Sequence, residues 1–229
     1  MSYTIKPLKK ISNKEFLNDV KKYIKNTHEF YKEKVPELNV LANRLRKEYT
    51  LQEFYKIFDK LWNSWSNNER SLAIHTLQLY NREFDINTWY FLKEKIIHIK
   101  SFDEVNSIGE IISDILYKIP DLKREIIALS RNKNVWLKRI STSVCFYGLK
   151  KKKIKDPSFL LFIIAQNIKD KDKNFQKEVG YLLCETAKLK KYLARKFILK
   201  HIHMPEVIFT EATKNMKELR KLRKIKKLK

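Results

Sequence analysis

Three glycines, five prolines and two cysteines are spread over 229 residues. So little glycine leaves no material for a P-loop or a dinucleotide-binding turn, which need several glycines in a short span. Tight hairpin turns are poorly supplied as well, which disfavours sheet. Cys145 and Cys184 stand far apart in apolar helical contexts. They read as small core residues of a reducing compartment rather than as a disulfide frame or a nucleophile. Long apolar runs are missing too. The longest, Phe159 to Ala165, falls well short of the roughly 20 residues that a membrane span requires. Lys6, Lys9 and Lys10 are not followed by an apolar stretch, so no secretory leader is expected. Acids are scarce: 26 Asp and Glu face 50 Lys and Arg, a formal charge of +24.

Hydrophobic residues make up 43% of the chain, enough for a core. A self-repelling excess of positive charge points to a polyanion, nucleic acid first and an anionic membrane surface second. A lysine-rich, AT-biased genome also raises lysine, but it explains Lys in place of Arg better than it explains so few acids. The composition suits an intracellular, cytoplasmic protein. It would be nucleoid-associated when bound to DNA.

The apolar pattern is helical throughout. Ser12 or Asn13 caps a first helix carrying Phe16, Val20 and Tyr23. Pro36 opens a second, and Thr50 with Glu53 forms the capping box of a third. Asn67 or Asn68, Asn87 or Thr88, Pro120 with Asp121, Asp156-Pro157 and Pro205 mark further starts, and Asn132 to Asn134 is a turn before a helix from Val135. About a dozen short helices with short turns predict an all-α fold, an α-solenoid of HEAT-like antiparallel helix pairs. A four-helix bundle is the alternative, disfavoured because no helix is long enough to be a full stave. One domain is expected over 1–216, then a basic amphipathic tail over 217–229.

Between Ile96 and Ile119 two apolar runs meet at a polar joint, Ser101 to Ser107. Carboxylates gather there in a basic chain, with Phe102 beside them. Elsewhere chemistry is thin. His201 and His203 are a close pair without a Cys or carboxylate cluster, so no metal and no other cofactor is expected. Lys133, Lys138, Arg139, Lys150 to Lys153, Lys169, Lys171 and Lys173 fall at turns or first helical turns. Aligned on one edge of a solenoid, they would follow a phosphate backbone without reading sequence.

Four segments carry a resemblance. Val35-Pro36-Glu37-Leu38 precedes Leu41-Ala42. Leu61-Trp62-Asn63-Ser64 precedes Glu69-Arg70 and Leu72-Ala73. Asn134-Val135-Trp136-Leu137-Lys138-Arg139 and Asp172 to Tyr181 follow in order. Together they resemble the DNA alkylation repair proteins built from HEAT-like repeats, the AlkD-like DNA glycosylases. The resemblance runs from about Val35 to Met216. It implies double-stranded, damaged DNA as partner, a monomer, and a lesion site made of two aromatics and a carboxylate. The aromatics fall on Phe102 and Tyr181, and the phosphate-gripping arginine on Arg139 or Lys138, beside Trp136. The carboxylate falls on Asn106, which is neutral, while Asp103 matches a second aspartate of that segment. In the family the carboxylate stabilises the cation that builds on the sugar as an alkylated base leaves. Members without it are implied to bind DNA rather than excise.

Three functions therefore stand. They are an alkylpurine glycosylase, a non-catalytic binder of damaged or branched DNA, and an armadillo-like scaffold for acidic protein tails. Phe102, Tyr181 and Trp136 also fit as plain core residues.

Overall fold

The structure is a computed structural model that describes residues 35–64 and 66–221. The expected first helix at Ser12–Phe30 and tail residues 222–229 lie outside the described residues. Among the described residues there is no strand. The α-helices are α1 (Val35–Glu48), α2 (Leu51–Trp62), α3 (Asn67–Gln78), α4 (Ile86–Lys95), α5 (Phe102–Lys118), α6 (Lys123–Ser130), α7 (Val135–Lys150), α8 (Pro157–Asn167), α9 (Lys173–Leu189), α10 (Lys191–Lys200) and α11 (Glu206–Ala212). Short 3-10 turns lie at Asn81–Glu83, Ile96–His98 and Pro120–Leu122. Packing divides the chain into two compact units with the boundary between Glu83 and Phe84. Nothing in the composition there marks it.

The first unit holds α1 to α3, with α3 packed on both α1 and α2. The capping box at Thr50 is formed: its hydroxyl accepts from the Glu53 amide, and the Glu53 carboxylate accepts from the Thr50 amide. Phe54 stacks on Tyr80 at 5.4 Å and Phe58 on Trp62 at 5.5 Å. Tyr80 donates to the Tyr49 carbonyl at 2.7 Å. Burial pushes the Tyr80 hydroxyl up to about 12, so it stays a donor at any working pH.

The second unit holds α4 to α11. Here α5 packs on α7, α7 on α9 and α9 on α11, while α6, α8 and α10 pack against this row and one another. Contacts advance in step along the row. Phe102 of α5 meets Trp136 and Arg139 at the start of α7, Gly109 meets Ser143, and Asp114 binds Lys151 and Lys153 at the end. These helices therefore run parallel, with intervening helices returning the chain. Ile108, Ile112, Ile140, Val144, Val179, Leu182 and Leu183 fill the seam, each at most 1% exposed. Burial of each such side chain contributes roughly 1.5–3 kcal/mol.

The joint expected at Ser101–Ser107 is the first turn of α5. Ser101 caps it, accepting from the Glu104 amide at 3.2 Å, and Glu104 accepts from the Lys100 amide at 2.9 Å. Acids in a first turn complement the helix dipole, so the carboxylates gathered there serve the helix start. The cap of α4 is Asp85, ahead of the expected Asn87 or Thr88. Its carboxylate accepts from the Thr88 amide at 3.1 Å. The last core helix stops at Ala212, short of the expected Met216, and the Thr213 hydroxyl turns back to the Phe209 carbonyl. Cys145 and Cys184 are both buried and unpaired.

Candidate nucleic-acid interface

Phe102 opens α5 and is 44% exposed, too open for a core residue. What holds it is Arg139. The guanidinium lies over the Phe102 ring at 4.2 Å, and Trp136 meets the same ring edge-on at 5.4 Å. Phe175 flanks the guanidinium at 5.3 Å. Arg139 is only 2% exposed, and Asp172 (3.1 Å) and Glu178 (2.9 Å) neutralise it from α9 and its cap.

The guanidinium expected to grip phosphate is thus enclosed by two carboxylates and three rings and braces the Phe102 ring from beneath. Lys138 is likewise committed, paired with Asp170. Burial pushes the Asp170 carboxyl up, but the Lys138 ammonium and the Asp172 amide outweigh it and hold it below its ordinary value. The Asp172 carboxyl is lowered chiefly by the Phe175 amide it caps, and then by Arg139. Glu178 goes the other way: burial pushes it up against the pull of Arg139.

Asn106 follows Phe102 by one turn and is exposed. Asp103, also exposed, sits one turn before Asn106. The parallel register puts Asn106 level with the turn between Arg139 and Ser143. Tyr181 is 43% exposed and packs on Phe146 at 5.5 Å. Phe146 follows Arg139 by two turns on the same side of α7, about 10 Å along the axis. Phe102 and Asn106 thus lie on α5 and Tyr181 on α9, with α7 between, each open to solvent and Arg139 beneath Phe102.

The lysine stripe is split. Lys151 binds Glu110 and Asp114, and Lys153 binds Asp114, so both tie α7 to α5. Lys133, Lys150, Lys152, Lys169, Lys171 and Lys173 are exposed. The sequence reading missed Glu178, Asp172 and Phe146. Asp172 carried a signal as an Asp just before a helical run. Glu178 and Phe146 carried none, because their partners are on other helices.

The model of the DNA alkylation repair enzyme family matches residues 4–216. The chain belongs to that family. A solved structure described as a predicted DNA alkylation repair enzyme from Enterococcus faecalis has 17% sequence identity to it. It superposes with a TM-score of 0.69 over 92% of this chain and 99% of its own. At that identity the likeness shows the fold alone. No curated protein matches the sequence. Family membership implies a DNA substrate. Among the described residues no helix of this DNA alkylation repair family member is long and apolar enough to cross a membrane. Nor do His, Cys, Asp and Glu gather there into a metal-binding group.

Proposed function

We propose that the helix pairs continue as a HEAT-like α-solenoid that binds damaged duplex DNA across the open face of α5, α7 and α9. Phe102 and Tyr181 pack against deoxyribose on either side of a lesion, and the exposed lysines, Lys173 among them, follow the phosphates. Trp136 and Arg139 act from below by fixing the Phe102 ring. Lys138 shares that supporting position.

The reading that fits best is recognition without excision. The observation that carries it is the neutral amide at Asn106, exposed one turn along α5 from Phe102, where the family resemblance puts the carboxylate. Asp172 and Glu178 serve Arg139, and Glu110 serves Lys151. A carboxylate about 4 Å from a developing sugar cation is worth about 4 kcal/mol at an effective dielectric of about 20. That is roughly a thousandfold in rate, and a neutral amide forfeits most of it. A second reading, excision of alkylated purines, rests on Asp103, which is exposed one turn away on the same helix.

The test is release of base from duplex DNA carrying N3- or N7-alkylated purines. The native chain should bind such DNA and release little base, and Asn106→Asp should raise release by roughly a thousandfold. Ready release by the native chain, abolished by Asp103→Asn, would instead establish the second reading.

A further inference from the structure

Beside Tyr181 the open face deepens into a groove of about 630 Å³ between the end of α7 and the second half of α9. Its floor is aromatic and aliphatic, with Phe146, Tyr181 and the leucines Leu149 and Leu189. Its rim is cationic: Lys150, Lys152, Lys155 and Lys188 border it, against one acid, Glu185, which pairs with Lys188. Among the described residues Lys150, Lys152 and Lys155 have no carboxylate partner.

The rim is shaped at a cost. Lys152 has φ 57°, the left-handed region that favours glycine. It terminates α7 in a paired turn, its amide donating to the Leu149 carbonyl at 2.9 Å and the Lys153 amide to the Gly148 carbonyl at 2.8 Å. Ile154 then fills the space that a Cβ on Gly148 would take. Glycine would fit position 152 with less strain, yet the position carries an exposed ammonium at the mouth of the groove.

A paired base in a duplex presents its edge and hides its π face. An aromatic floor with lysines along its rim fits the opposite case, an unpaired base that stacks while its phosphates lie on the cations. The groove volume falls in the roughly 300–1,000 Å³ range of sites for small organic groups. We infer that the Tyr181 groove takes an unpaired DNA tract of a few nucleotides, adjoining the duplex held by the rest of the row. This rests on the DNA-binding reading above and adds a class of DNA structure to it.

Fluorescence anisotropy on the full chain tests it with four labelled probes: an intact duplex, the same duplex with a short gap, oligothymidine and oligouridine. The gapped duplex should bind about tenfold more tightly than the intact one, from one or two stacked bases. Tyr181→Leu should bring that affinity ratio close to one, whatever it does to either affinity alone. Lys155→Ala should reduce the salt slope of the gapped complex by about one, as for one lost phosphate contact. Equal affinity for gapped and intact duplex would overturn the inference and leave duplex binding standing. A ratio unmoved by Tyr181→Leu, or tighter binding of oligouridine than oligothymidine, would overturn it as well. Absence of binding to every probe would remove the underlying DNA-binding reading.

Discussion

Arg139 is the residue on which the open face depends. A guanidinium at 2% exposure persists only with its charge matched, and Asp172 and Glu178 match it from the cap of α9 and its second turn. Glu178→Gln keeps an oxygen acceptor but removes one of the two negative charges. We expect a loss of under about 1 kcal/mol, because burial already disfavours the Glu178 charge and Asp172 remains beside Arg139. A lower urea midpoint at unchanged slope would register it; an unmoved midpoint would show that Asp172 suffices. The acid limb offers a second check. With its carboxyl pushed above the ordinary value, native Glu178 holds extra proton between the unfolded and folded pKa. Its contribution to stability is therefore present at low pH and falls as pH rises through that window. Asp85, Asp156, Asp170 and Asp172 are lowered, so what they contribute is lost as pH falls below about 4. The aspartates should dominate, making the protein acid-labile, and Glu178→Gln should steepen the decline.

At the scale of the element, the few glycines are spent where helices cross. A Cβ on Gly109 would come within 2.3 Å of the Ser143 hydroxyl oxygen, and one on Gly180 within 2.7 Å of the Ile208 carbonyl oxygen. The second clash is with backbone, which cannot rotate away. Gly180→Ala gains about 1 kcal/mol of helix propensity and forces α11 off α9. A net loss of about 2 kcal/mol is expected from overpacking. A rise in thermal midpoint would mean that the helices separate freely. The left-handed Lys152 makes the converse case. Lys152→Gly should raise stability by roughly 0.5 kcal/mol, strain relief exceeding the added entropy of the unfolded chain. A calorimetric midpoint below that of the native chain would refute the strain.

For the whole molecule, the +24 charge sets the energetics of association. Lys138, Lys151, Lys153 and Arg139 bind carboxylates within the fold, so the cations offered to a ligand are others. The exposed lysines that remain should still give DNA affinity a steep salt dependence. A fall of about 10³-fold between about 50 and 200 mM salt corresponds to half a dozen phosphate contacts. Titrating the complex with potassium chloride measures the slope, and a flat one would end the proposal that these lysines follow a backbone.

The amino-acid order by itself determined that the chain is helical and where most helices begin. Thr50 with Glu53, and Asp156-Pro157, act on amides two or three residues away, so neighbours in sequence suffice. The ordered segments shared with DNA alkylation repair proteins were legible for the same reason. The polar run at Ser101–Ser107 was read as a joint, because local polarity looks alike in a loop and in a first helical turn. Only tertiary structure decided which cations are free, that Arg139 is sealed beneath Phe102, and that Phe146 floors a groove with Tyr181. Those facts depend on partners on different helices, and a charge is spent or left open by what packs opposite it.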